Sequence, residues 1–172
     1  MSTPDPAIAF YGPLATISLT LLGVWFAVLQ FSHGSWQSAV RHRSTLHIAL
    51  HFLLPGMAGL ASLLATGTED GLIWRITFLA AGLGGTVESL AFLRDPHGPR
   101  AIVGRALCAL DPALYTAMAG AAFLPKGALP ITPLQTEGMI TGTLFLFGLC
   151  YVWLAFAERE VPAEPEPSVA GR

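Results

Sequence analysis

Three side chains that can ionise, His51, Glu88 and Asp111, stand inside long apolar stretches of the sequence. Each would cost more than about 2.5 kcal/mol at the centre of a bilayer, so each needs a partner or a function. With a rise of ~1.5 Å per helical residue, His51 lies about 8 Å after the start of its segment and Glu88 about 8 Å before the end of the next. Asp111 lies about 9 Å past Arg105, and because successive spans run in opposite directions, all three lie on the same side of the membrane. They therefore share one layer, and His47 lies one helical turn from His51 on the same helix face.

This group has two competing interpretations. Carboxylates and imidazoles bind protons or cations, and histidine changes its charge near neutral pH. We therefore predict that His47, His51, Glu88 and Asp111 form an ion- or proton-binding or gating group. A hydrogen-bonded staple between helices, with nothing transported, explains the same residues equally well. The spacing of His47 and His51 would allow chelation of one metal ion, but without an HExxH motif we expect no bound metal and no cofactor.

Small and polar residues follow one face of the first apolar segment at spacings of three and four, and a similar stripe follows the second. Such residues let helices pack closely in lipid, or they line a water-filled pathway. The second possibility predicts pathway-lining roles for Thr16, Thr20, Gly23, Gln30 and Ser62.

Two prolines, Pro55 and Pro112, lie in the middle of apolar segments. Proline removes a backbone N–H and bends a helix, which frees carbonyl groups that neighbours, water or an ion must satisfy. Pro112 directly follows Asp111, so the predicted kink and the buried charge coincide.

The elements that position these residues follow from the composition. Of 172 residues, 53% are hydrophobic and 12% charged, about half the share of charge in a soluble domain. The net charge of -2, with no basic cluster, excludes a nucleic-acid-binding domain, and the apolar content excludes a cytosolic enzyme and a disordered regulator.

Apolar runs of about 20 residues cross a bilayer as helices. We predict an all-α integral membrane protein with a single domain over 1–157, and a disordered, acidic, proline-rich tail over 158–172. Its five transmembrane helices are predicted at 8–31, 46–65, 72–93, 102–124 and 138–157.

Basic residues set the predicted orientation. Only Arg75 and Lys126 lie on the side of the second and fourth connections, and the remaining arginines lie on the other side. Positive charge is retained in the cytoplasm, which predicts an amino terminus outside and a carboxyl terminus inside. All but one of the nine basic residues are arginine in a chain rich in alanine and glycine, which favours a bacterial inner membrane. The arginines on the predicted cytoplasmic side are Arg41, Arg43, Arg94, Arg100, Arg105, Arg159 and Arg172.

These features favour a small membrane channel or transporter for ions or protons. Five short helices leave little room for a wide internal pathway, so we expect a homo-oligomer in the lipid bilayer. The alternatives are a membrane subunit or scaffold that docks onto partner membrane subunits and, less expected, a metal-dependent membrane enzyme. We expect no catalytic residues, because no serine or cysteine stands in a recognisable nucleophile motif, and no nucleic-acid partner.

Overall fold

The structure is a computed structural model that describes residues 6–31, 39–65, 71–95 and 101–157. These residues are almost entirely helical, which confirms the all-α prediction for this part of the chain. The predicted tail lies outside the described residues. The helices are α1 (Pro6–Phe31), α2 (Ala39–Leu64), α3 (Leu72–Leu93), α4 (Ile102–Ala121) and α5 (Pro133–Ala157).

Four of these helices, α1, α2, α3 and α5, are long and apolar enough to cross a membrane. The outer surface of the bundle is apolar: Ile76, Val87 and Leu146 are among many large hydrophobic side chains that are more than half exposed. Four ionisable side chains, those of His47, His51, Asp111 and Glu137, are buried in the interior instead, which reverses the arrangement of a soluble protein. The chain is therefore a multi-pass membrane protein.

Helix α2 is the central helix of the bundle, packed against α1, α3 and α5. Within its apolar window 61% of the residues are buried, against 22 to 33% in the three other candidate spans. Small residues make the close packing possible: a Cβ at Gly59 would lie 3.0 Å from the carbonyl oxygen of Tyr11. Gly82 and Gly85 of α3 play the same role against α4, because a Cβ at either position would meet α4 atoms at 2.5 Å or less. Helix association in lipid depends on such close packing.

The helices alternate in direction. At one end of the bundle, Trp25 near the end of α1 donates a hydrogen bond of 3.3 Å to the carbonyl of Thr45 near the start of α2. We call this end, where α2 and α4 begin, the lower end, and the end where α1, α3 and α5 begin the upper end. One apolar core fills each half. The upper core includes Tyr11, Phe78, Met118 and Leu144, and the lower core includes Trp25, Phe52, Phe92 and Tyr151.

Three helix ends differ from the predicted bounds by three residues or more. Helix α2 begins at Ala39 rather than at residue 46, because its polar first turns continue the helix beyond the apolar stretch. Helix α5 begins at Pro133 rather than at residue 138, since proline is favoured in the first turn of a helix. Helix α4 ends at Ala121 rather than at residue 124.

A capping box sets the start of α5. The Thr132 hydroxyl accepts a 3.1 Å hydrogen bond from the backbone N–H of Gln135. The Gln135 side chain accepts one of 2.9 Å from the N–H of Thr132 in return. This reciprocal pair satisfies two backbone donors that a helix start otherwise leaves open.

Candidate functional site

His47 is hydrogen-bonded to two carboxylates from two other helices. Its Nδ1 lies 2.6 Å from Glu88 Oε2 on α3, and its Nε2 lies 3.1 Å from Asp111 Oδ2 on α4. A carboxylate only accepts hydrogen bonds, so with both acids ionised His47 must carry a proton on each nitrogen. A positive imidazolium then lies between two negative charges, and the His47 side chain is 1% exposed.

His51 completes the group one turn further along α2. Its Nδ1 lies 2.9 Å from the carbonyl oxygen of His47, so this nitrogen carries a proton and donates. Its Nε2 is thereby directed at Asp111 Oδ1, at 3.2 Å. The rings of His47 and His51 have centroids 4.7 Å apart, so two imidazolium charges would repel each other strongly. The space between His51 Nε2 and Asp111 Oδ1 therefore suits one proton or another cation.

Asp111 contacts three other residues of the site. Besides the two histidines, its Oδ2 accepts a short hydrogen bond of 2.6 Å from the hydroxyl of Tyr151 on α5. The same hydroxyl lies 3.3 Å from Cys108 Sγ. Both Asp111 and His51 are fully buried. The structure thus brings together His47, His51, Glu88 and Asp111, and adds Tyr151, which sequence reasoning missed because a tyrosine near a helix end is also typical of a membrane interface.

Aromatic rings close the site, and Glu88 connects it to the surface of the bundle. Phe92 stacks on His47 with ring centroids 3.9 Å apart, and Tyr115 packs edge-on against His51. The Glu88 side chain is 15% exposed, whereas those of His47 and Asp111 are buried almost completely. Glu88 Oε1 is buried and has no hydrogen-bond partner among the described residues. Glu88 is therefore the least buried of the four residues and lies at the edge of the site.

Both prolines lie within helices next to this site, as part of α2 and α4. Pro55 stands four residues after His51, so the helical hydrogen bond to the His51 carbonyl cannot form. Pro112 has the same effect on the carbonyl of Cys108. The bends predicted at Pro55 and Pro112 stay a prediction, but both freed carbonyls belong to residues of the site.

The predicted pathway-lining residues lie elsewhere. Thr16, Thr20, Gly23 and Gln30 are exposed on the outside of the bundle. Thr16 and Thr20 donate hydrogen bonds to carbonyls of the preceding turn of α1. Ser62 is buried in the upper half of α2 and donates to the carbonyl of Ala58. Ser62 thus lies in the other half of the bundle from the histidine–carboxylate site, and the four α1 residues face outward, so a pathway-lining role at an interface between chains stays a prediction.

A second buried carboxyl group, Glu137, was missed by sequence reasoning. It lies in the first turns of α5, is 0% exposed, and neither oxygen has a hydrogen-bond partner among the described residues. The positive charge of the Arg75 guanidinium, on α3, attracts the Glu137 carboxyl group electrostatically. Arg75 itself donates to the carbonyls of Ala122 and Leu124, where α4 ends. The predicted fifth span begins at residue 138 and so leaves Glu137 out, whereas a helix start at Pro133 places it in the first turns of α5.

Comparison with known protein families, with curated proteins and with solved structures finds no match to this chain. The chemistry of the site must therefore be argued from its own geometry. Among the described residues, His47, His51 and Asp111 present ligand atoms that lie within 4.8 Å of one another and are buried. Two imidazoles and a carboxylate in this arrangement can hold a proton or a metal cation.

Proposed function

We propose that the chain is a small membrane transporter or channel that binds a cation, either a proton or a metal ion, at the His47–His51–Asp111 site. The contact of two histidines and two carboxylates in the bundle interior carries this proposal. Ionisable groups at membrane depth are expensive, and they typically mark ion pathways or proton relays. Among the described residues, the basic partners of Glu88 and Asp111 are histidines.

The absence of a lysine or arginine partner in this part of the chain distinguishes the site from a plain staple. A fixed arginine would neutralise a carboxylate permanently, because arginine does not lose its proton in proteins. Histidine can release its proton, so Asp111 can exchange a proton for another cation. Such exchangeable neutralisation is what a transport site requires.

In this proposal α4 also crosses the membrane, which brings the number of transmembrane helices to five. Arg105 and Asp111 lower its hydropathy, but Asp111 is shielded by α2 and α5. The protein lies in a bacterial inner membrane, with its amino terminus outside and its carboxyl terminus in the cytoplasm. The site then occupies the cytoplasmic half of the membrane. Access from that side then passes Glu88.

The exposed polar face of α1 supports assembly. Thr16, Thr20 and Gly23 form a small, partly polar surface, and a Cβ at Gly23 would meet no atom within 4 Å. Small residues on a lipid-facing helix favour close helix–helix contact. We propose a homo-oligomer through this face; a membrane subunit that docks onto a different protein through it is the second candidate.

Reconstituted liposomes test the transport function. A potassium diffusion potential should drive proton entry, reported by an entrapped pH dye, or uptake of an external divalent ion, reported by a metal dye. Asp111→Asn should reduce the rate at least tenfold, while Asp95→Asn should leave it unchanged, because Asp95 pairs with Arg43 at the lower end, outside the site. Wild-type rates equal to those of empty liposomes, or equal rates in wild type and Asp111→Asn, would contradict the proposal.

A further inference from the structure

The geometry points to a divalent transition-metal ion, of the Zn²⁺ class, as the cation that the buried site takes. This inference rests on the proposed function and names its substrate class. The ligand atoms are His47 Nε2, His51 Nε2 and Asp111 carboxylate oxygen.

The spacing of these atoms matches the coordination shell of such an ion. Zinc–nitrogen and zinc–oxygen bonds of about 2.0–2.1 Å in a tetrahedral shell place neighbouring ligand atoms roughly 3.3 Å apart. Asp111 oxygens lie 3.1 Å from His47 Nε2 and 3.2 Å from His51 Nε2. These are the two different carboxylate oxygens, and the three ligand atoms all lie within 4.8 Å of one another, so an ion that replaces the protons would draw the two Nε2 atoms toward the same carboxylate.

The surrounding hydrogen bonds hold both imidazoles in the orientation that a metal ligand needs. Metal-binding histidines almost always donate their second ring N–H to a carboxylate or a backbone carbonyl. Here the second nitrogen of His47 faces Glu88 at 2.6 Å, and that of His51 faces the His47 carbonyl at 2.9 Å. Tyr151 holds Asp111 from the α5 side. This second layer is fully formed and directs both Nε2 atoms at the same carboxylate.

The donor set selects the class of ion. Two imidazole nitrogens and one carboxylate suit Zn²⁺ and its first-row neighbours, whereas Mg²⁺ and Ca²⁺ favour shells made of oxygen. Asp111 and Glu88 together supply two negative charges, which balance a divalent ion in the interior of the bundle. The three protein ligands leave a fourth position open for water or another ligand.

Metal binding to the purified protein in detergent, after removal of any histidine tag, tests this inference. We expect one Zn²⁺ or Co²⁺ per chain by mass spectrometry of the metal after gel filtration, and a Co²⁺ absorption spectrum typical of tetrahedral coordination. His51→Gln should weaken binding at least tenfold, and Glu88→Gln by about ten- to a hundredfold through the second layer. His42→Ala is the matched control, since His42 is an exposed histidine of the same helix.

The folded state of each variant is checked by thermal unfolding without metal, and Zn²⁺ should raise the unfolding temperature of the wild type and of His42→Ala only. Equal metal binding by wild type and His51→Gln, or no binding by the folded wild type, would overturn the inference. Proton flux that depends on Asp111 without metal binding would leave the proposed transport function intact and exclude the metal. Metal binding without any flux would support the metal site but contradict the proposed transport function, and would favour a metal-dependent membrane enzyme.

Discussion

Gly148 of α5 lies directly against His51 of α2, and a Cβ at residue 148 would stand 2.8 Å from the Cβ of His51. The clash would be with the root of the histidine side chain and not with a flexible tip, so the two helices would have to separate. Because Tyr151 lies one turn further along α5, this separation would also pull its hydroxyl away from Asp111. The glycine thus sets the distance at which α5 can complete the site.

Gly148→Ala should therefore lower the free energy of unfolding by about 1–3 kcal/mol, the usual cost of overpacking. It should also weaken cation binding at the site. Gly142→Ala is the matched control on the same helix, because a Cβ there would meet Phe10 at an ordinary 3.4 Å. Thermal unfolding in detergent, followed by tryptophan fluorescence, compares the stability of the two variants, and metal binding after gel filtration compares their cation binding. Equal unfolding temperatures for the two variants would show that α5 is not held closely against α2.

The two buried tyrosines near the site should respond differently to loss of their hydroxyl groups. Tyr151→Phe removes a 2.6 Å hydrogen bond to the buried carboxylate of Asp111, so the expected loss of stability is about 1.5–3 kcal/mol. The Tyr115 hydroxyl is buried and has no hydrogen-bond partner among the described residues. Tyr115→Phe should be neutral or stabilising, because it removes an unsatisfied polar atom and leaves the ring in place. A larger loss in Tyr115→Phe than in Tyr151→Phe would refute the assignment of Tyr151 to the site.

The start of α5 gives a third test. Thr132→Ala removes the hydroxyl that accepts the N–H of Gln135 and should cost about 1 kcal/mol. Thr136→Ala is the matched control, because the Thr136 hydroxyl only donates to the Thr132 carbonyl inside the helix and is partly exposed. Urea or thermal unfolding in detergent compares the two. A greater loss from Thr136→Ala would place the cap one turn later than Thr132.

Much of the architecture could be predicted from the sequence because lipid imposes simple rules. Uncharged runs of sufficient length must be helical, and this reasoning located α3 at the residues where the structure has it. The helix ends in water follow other rules. The early start of α2 depends on polar residues such as His42 that hydropathy does not select, and the start of α5 depends on a proline and a cap.

The candidate site could be predicted only in part. The common depth of His51, Glu88 and Asp111 follows from counting residues along helices, which the periodicity of the chain allows. Which faces meet depends on how the helices pack, and that is decided by pairs distant in sequence, such as Gly148 and His51. For the same reason the stripe on α1 could not be assigned to the inside or the outside from its spacing, and the structure places Thr16 and Thr20 outside.

Glu88 and Glu137 offer a final test of what a buried carboxyl group contributes. Glu88 Oε2 accepts a hydrogen bond from His47 at 2.6 Å, whereas both Glu137 oxygens lack a partner in the described part of the chain. Glu88→Gln replaces this charge-assisted hydrogen bond with a weaker neutral one, while His47 keeps its contact with Asp111, so the free energy of unfolding should fall by about 1 kcal/mol. Glu137→Gln removes no hydrogen bond among the described residues, so it should be neutral or stabilising.

The comparison is sharp because the same atoms change in both variants, and thermal unfolding in detergent at neutral pH is sufficient to make it. A destabilisation by Glu137→Gln as large as that by Glu88→Gln would mean that Glu137 has a partner beyond the described residues, such as water or a second chain at the upper end. In that case Glu137, next to Arg75, would belong to a second functional polar site at the upper end. A buried carboxyl group without a partner could not stabilise a bundle in lipid.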